Sequence, residues 1–259
     1  MNSLELKTAW QQGNITVGTW IFEFNTPGIA RLAASTGVDF VVYDQEHSGF
    51  GIDTIRGLLA LTRPLNLVAL VRPPANEYFL IAPLLDAGAT GVILPNIQTA
   101  SEAKKLTDAC RYTPRGQRGA AFSVAHDDFL PGNPADKIRA ANDAMICGVL
   151  IESATGLANL EEIVGVDGVD LVWVGFLDLS LSMGIPGQYR DPRFQQALDR
   201  IVKACKARQK PAGILSNDVE QARKYIRQGF QCISYGGDIW LLQRALSEGI
   251  RSIRAMDPQ

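Results

Sequence analysis

DFVVYDQEHSGF, residues 39–50, decides how the chain is read. A run that is apolar at successive positions, Phe40 to Tyr43, fits a strand covered on both faces, as in a parallel sheet wrapped by helices. It then delivers Asp44, Glu46 and His47, one of two histidines in the chain, to one small volume.

Working outward, similar runs recur at 15–22, 39–43, 67–72, 91–95, 146–151, 170–175, 212–216 and 231–235, eight in all. Between them lie segments of helical spacing: TPGIARLAAST, IDTIRGLLALTR, EYFLIAPLLDAG, TASEAKKLTDACR, PRFQQALDRIVKACKARQ and NDVEQARKYIRQG. Each opens near a Ser, Thr, Asp or Pro signal, and several close on Gly. This alternation predicts an α/β chain folded as a (β/α)8 TIM barrel. An open doubly wound sheet would carry Gly-x-Gly-x-x-Gly after an early strand, and the chain has none. No linker or composition shift marks a boundary, so a single barrel domain over 1–259 is expected. Its irregular insertion, about 112–145, would be a lid or a contact between subunits.

Composition narrows the function. The chain is 46% hydrophobic and 20% charged with a formal charge of −2, so nucleic acid and anionic membranes are poor partners and small molecules are expected. The start, MNSLELKTAWQQGN, lacks the basic and apolar runs of a secretion signal, and no stretch is apolar enough to span a bilayer. The four cysteines, Cys110, Cys147, Cys205 and Cys232, show no Cys-x-x-Cys spacing, which points to a reducing, cytoplasmic setting.

In such a barrel, function sits where the strands end. The tips carry Glu23; Asp44, Glu46 and His47; Arg72; Asn96 and Gln98; Glu152; Asp178; Ser216 and Asn217; and Gly236, Gly237 and Asp238. Glu152 and Asp178 end adjacent strands and could share a hard divalent ion, Mg²⁺ or Mn²⁺. Zn²⁺ and Co²⁺ are further options, zinc being less favoured without a nearby Cys or paired His. Helix capping would explain either acid equally well. Arg72, followed by two prolines, could stabilise an enolate or carboxylate, or serve as a structural ion pair. His47 could exchange protons near neutral pH with Asp44 or Asp86 orienting its ring. Gly236–Gly237 would suit a phosphate or a tight turn. His126, in the insertion, could reach over the rim.

Together these pieces resemble the class II pyruvate aldolases of the HpcH/HpaI family. The shared motifs are D-x-E-H (Asp44, Glu46, His47), V-R-P-P (Arg72), L-L-D-x-G-A (Asp86), P-R-G-Q-R-G (Arg115 to Gly119), I-E-S-A-T-G (Glu152) and G-F-L-D-L-S-x-x-M-G (Asp178 to Gly184). The resemblance implies a phosphoenolpyruvate/pyruvate-type barrel and a metal-dependent aldolase that cleaves or forms 4-hydroxy-2-oxo acids from pyruvate or hydroxypyruvate and an aldehyde. By position, Glu152 and Asp178 would hold the ion, Arg72 would steady the enolate oxygen, and His47, with Asp44 and Asp86, would manage protons. Backbone near Gly175, Phe176 and Leu177 would hold the carboxylate, while Trp20 and Leu215 shape the pocket. A homohexamer exchanging the helix at 238–256 is also implied.

The chain departs from many relatives in Gly175-Phe176-Leu177-Asp178 for Gly-Pro-x-Asp, in Leu150-Ile151-Glu152 for Gln-x-Glu, and in Ala125 where an arginine is common. A short neutral or hydroxylated aldehyde is therefore expected over a dicarboxylate precursor. The alternatives are a citrate-lyase β-type enzyme acting on a CoA thioester, which would need a basic groove, and an inactive binding barrel.

Overall fold

Each apolar run pairs in parallel with the next, and the last returns to the first. In the computed structural model, which describes residues 1–256, the order is α1 (Ser3–Gln11), β1 (Thr16–Ile21), α2 (Ile29–Ser35), β2 (Phe40–Asp44), α3 (Ile52–Thr62), β3 (Val68–Arg72), α4 (Tyr78–Asp86), β4 (Gly91–Leu94), α5 (Ala100–Cys110), α6 (Pro134–Ala144) and β5 (Ile146–Ile151). There follow α7 (Ala154–Ala158), α8 (Leu160–Gly165), β6 (Leu171–Val174), α9 (Phe176–Ser182), α10 (Pro192–Ala207), β7 (Ala212–Ser216), α11 (Val219–Gln228), β8 (Cys232–Gly237) and α12 (Asp238–Arg254). The eight strands close into a barrel in sequence order, so the chain is a (β/α)8 TIM barrel.

Side chains alternate across a strand, and two apolar layers result. Phe40, Val42, Val68, Leu70, Ile93, Leu171 and Trp173 fill the barrel interior, while Val41, Tyr43, Val71, Val92, Val149 and Val172 face the helices. Both faces are dry, which is why the runs read as uninterrupted apolar stretches. The interior admits large rings because glycine stands beside them. A Cβ on Gly213 would lie 2.4 Å from the Trp173 ring, and one on Gly18 would lie 2.4 Å from Phe40.

The seam between β1 and β8 has a polar clasp. Buried Asp238 accepts the N–H groups of Phe22 (3.0 Å), Glu23 (3.0 Å) and Phe24 (2.8 Å). Gly236 and Gly237 belong to β8 itself, and a Cβ on Gly237 would meet Phe22 and Trp240 at 2.8 and 3.0 Å. Close packing accounts for this pair without a phosphate.

The insertion is not a lid over its own chain's strand tips. It leaves the end of α5 and enters the start of β5, so connectivity puts it at the barrel's opposite end. There His126 packs on Tyr112 and Phe122 and bonds to Ala121 O at 2.7 Å. Among the described residues no helix is long and apolar enough to cross a membrane.

Candidate active site

The alternation that fills the barrel also aims the site. Phe40 and Val42 point inward, so Asp44 does too; Val68 and Leu70 bring Arg72 inward, and Leu150 brings Glu152. Asp44 and Arg72 are register partners on β2 and β3. Their side chains form a two-pronged pair, with Arg72 Nε 2.6 Å from Asp44 Oδ1 and Nη2 2.8 Å from Oδ2. Asp44 is fully buried and Arg72 only 7% exposed. Burial disfavours the charged guanidinium, but Asp44, Glu46 and Glu152 more than offset it, and the Arg72 pKa is raised. Trp20 lies under the guanidinium at 4.7 Å. The fork is thus pinned on one edge, and Nη1 is left for other partners.

Asp44 also fixes the turn after β2 by accepting the backbone N–H groups of Glu46 (3.1 Å) and His47 (3.0 Å). Its carboxylate therefore holds the His47 backbone and Arg72, and not the His47 ring as the sequence led us to expect. That ring is 60% exposed and its nearest acid is Glu46, with Nε2 3.8 Å from Oε2. Asp86 is farther off. It ends α4, which leads to the start of β4, so within one chain it stands at the opposite end of the barrel, where it pairs with Arg118 at 2.7 Å.

Glu152 sits in a pocket made by its neighbour strand. A Cβ on Gly175 would fall 2.3 Å from Glu152 Oε2, and the N–H of Asn96, which adopts φ 52°, donates to Oε1 at 2.5 Å. Burial, with the charges of Glu46 and Asp178 against the help of Asn96 and Arg72, pushes the Glu152 carboxyl up to about 7. Burial raises Glu46 as well. Glu46 Oε2 lies 3.0 Å from Arg72 Nη1, yet the pair is misaligned and Oε2 has no hydrogen-bond donor. Asp178 stands in the first turn of α9. A bound divalent cation would favour the charged form of acids crowded in this way. The donors are hard oxygens, and no cluster of three or more His, Cys, Asp or Glu among the described residues is arranged to hold a metal. Two carboxylates that leave sites for water and substrate oxygens suit a Mg²⁺-like ion.

Gly175→Ala is expected to leave the barrel folded but to push Glu152 aside, weakening Mn²⁺ binding by about tenfold or more, since displaced supporting groups typically cost 10- to 100-fold. Calorimetric titration with Mn²⁺ measures this, and unaltered affinity would show that the cradle does not matter.

These groups open into a cavity of about 430 Å³ lined by Trp20, His47, Arg72, Glu152, Gly175, Phe176, Leu177, Asp178 and Leu215, together with Phe22, Leu150, Trp173, Asn217 and Trp240. A larger neighbouring groove, about 760 Å³ between Gly187–Asp191 and Asp218–Tyr225, contains none of the site carboxylates. Residues 18–245 match the HpcH/HpaI aldolase/citrate lyase family. The chain belongs to that family. It is 35% identical, over 96% of its length and 92% of the relative's, to a hydroxypyruvate/pyruvate aldolase of Delftia acidovorans. It is 34% identical, over 92% and 90%, to a 4-hydroxy-2-oxo-heptane-1,7-dioate aldolase of Salmonella paratyphi B. Among solved structures, an HpcH/HpaI aldolase from Desulfitobacterium hafniense superposes with a TM-score of 0.93, at 28% identity and 97% coverage of both chains. The protein is an aldolase, and the HpcH/HpaI group is dependent on divalent metal.

Within this family frame, the structure gathers the sequence-predicted site residues at one barrel end, except Asp86 and His126. Three contributors were not assigned from sequence. Glu46 was visible only as a neighbouring acid, Asn96 acts through its backbone N–H, and Trp240 is on a helix read as an oligomer contact. The inward parity of Glu46's strand would not have found it, because Glu46 lies beyond the strand in a turn.

Proposed function

We propose that this aldolase cleaves and forms 4-hydroxy-2-oxo acids, with pyruvate or hydroxypyruvate as the oxo-acid half, through an enolate. The observation that carries this reading is one cavity lined by buried Glu152, by Asp178 and by an Arg72 whose fork Asp44 pins. Glu152 and Asp178 would hold the divalent ion, Mg²⁺ or Mn²⁺, which when bound supplies Lewis acidity toward the ketone. Arg72 donates from Nη1 to the C2 oxygen of the oxo acid, which carries the enolate charge after C3 is released and before C3 attacks. Of the three backbone positions expected at the oxo-acid carboxylate, Gly175 donates its N–H to Ile151 O at 3.2 Å, which leaves the N–H groups of Phe176 and Leu177 at the start of α9 to hold it; Trp20 and Leu215 wall the site, and the exposed His47 ring passes protons through water. No Schiff-base lysine lines the cavity. The four cysteines are free and buried, which supports a cytoplasmic setting.

An oligomer, a hexamer in this reading, fits the apolar face of α12, where Leu242, Leu246 and Ile250 are exposed. Asp86 could then serve only the His47 of another copy, since its own is at the far end of the barrel. The whole chain would act as one barrel unit with α12 shared between subunits.

The test is proton exchange at the pyruvate methyl in D₂O together with product formation. EDTA should abolish both, and Mn²⁺ or Mg²⁺ should restore them; full activity in chelator would dismiss the metal. His47→Ala should slow exchange far more than it weakens Mn²⁺ binding. The opposite order would make His47 a ligand.

A further inference from the structure

The two carboxylates of the site are held unequally. Glu152 follows directly on β5 and is fixed by the Gly175 cradle and the Asn96 N–H. Asp178 instead rides on α9, a helix of seven residues whose N-cap is Gly175, with no side-chain capping bond. A helix this short is marginal by itself in water, and a glycine cap offers its free N–H groups no side-chain acceptor. Something outside α9 must fix its first turn.

Two sets of contacts do so, all within one chain, so that a neighbouring copy at the mouth neither supplies nor removes them. Fully buried Ser180 donates from Oγ to Leu177 O at 2.7 Å and accepts the Gly187 N–H at 3.0 Å, which folds the following loop back along the helix. That loop delivers Tyr189 to Phe176. The two rings meet edge to face, with centroids 5.2 Å apart and planes at 80°. Buried Phe194 of α10 backs Tyr189 at 5.5 Å, and Gln195 Nε2 donates to Tyr189 O at 2.5 Å. Phe176 is the first residue of α9 and packs against both apolar layers, the barrel interior and the helix-facing one. Its ring therefore fixes where the helix starts, and Asp178 stands two residues on.

We propose that Tyr189 is a positioning residue for the metal site: pressed between Phe176 and Phe194, it fixes the first turn of α9 and so sets the Asp178 carboxylate against Glu152. The proposal rests on the reading of Glu152 and Asp178 as the metal ligands. Tyr189 is not among the residues lining the cavity, and it acts through Phe176. The ring makes the contact, so the hydroxyl is dispensable.

Calorimetric titration with Mn²⁺ tests this. Tyr189→Leu should weaken binding by about tenfold or more, the loss typical of a displaced supporting group, whereas Tyr189→Phe, which keeps the ring, should stay within about threefold of the native protein. A lower melting temperature with unaltered Mn²⁺ affinity in Tyr189→Leu makes the stack merely structural and overturns the proposal, and so does an equal loss in Tyr189→Phe. Phe176→Leu removes the other ring of the contact and carries the comparison should Tyr189→Leu not fold; unaltered affinity in it overturns the proposal too. In an Asp178→Ala background, Tyr189→Leu should cost less than about twofold further, because the group it positions is gone. A full further loss there means that Tyr189 does not act through Asp178. Glu152→Gln separates the two claims. Native protein that binds no Mn²⁺, or binds it as well after Glu152→Gln, means that the metal reading has failed and takes this proposal with it. Binding that needs Glu152 but is indifferent to Tyr189→Leu means that this proposal alone has failed.

Discussion

Arg72→Ala is expected to lower turnover by about 10²- to 10³-fold, the usual loss when one donor to a developing oxyanion is removed. It should also destabilise the protein. Asp44 is fully buried and spends both oxygens on the guanidinium, and breaking a buried pair from one side costs roughly 3–5 kcal/mol. The two effects can be separated with Arg72→Lys, which keeps a positive charge near Asp44 but loses the planar fork. Lysine should recover part of the melting temperature and little of the turnover. If Arg72→Ala turns over near the native rate, Arg72 is a structural counterion and the enolate reading must find another donor. Thermal melts and steady-state kinetics on both variants decide it.

Glu152→Gln is expected to abolish turnover by orders of magnitude while making the metal-free protein more stable at pH 8. An ordinary glutamate ionises near 4.5, but in the folded chain this carboxyl is held up to about 7. The folded state therefore prefers the protonated form. The stability this contributes is complete below about pH 4.5 and is lost as pH rises through about 7, a swing of roughly 3 kcal/mol if the unfolded group is unperturbed. Glutamine does not titrate, so melting temperatures of the two proteins should lie close together at pH 4.5 and separate in favour of the variant by pH 8. The same proton competes with metal: below about pH 7, Mn²⁺ affinity of the native protein should weaken by about tenfold per pH unit, as expected when one proton is released on binding. Metal affinity that is flat between pH 5 and 8 would mean that Glu152 is already ionised and is not crowded by Glu46 and Asp178.

The barrel was legible because burial on both faces leaves a mark that no helix or surface strand makes: uninterrupted apolar runs at 40–44, 68–72 and 146–151 were read within a residue or so of their observed ends. Short helices were harder. The polar start conceals α1, whose capping box, Asn2 with Glu5, looks like solvent-exposed sequence, and α7 and α8 are too brief to show a period. The rim residues could be named because strand ends and polar types are both sequence properties. Their pairing could not. Nothing in the letters says that Asp44 takes Arg72 instead of the His47 ring, since that choice follows from the register of β2 on β3. Asp86 and His126 stand away from their own chain's rim for a reason that chain direction does supply, because a segment after a helix has already returned to the strand starts.

The clasp at Asp238 joins groups 216 residues apart, and it has a consequence for how the protein is made. Trp20 and Phe22 leave the ribosome early, but the edge beside them remains bare until Cys232–Gly237 arrives. A nascent or prematurely stopped chain therefore carries an open strand edge and half an aromatic wall. Competence to bind substrate therefore waits for β8 to be made, and a chaperone that shields β1 would have to let go only then.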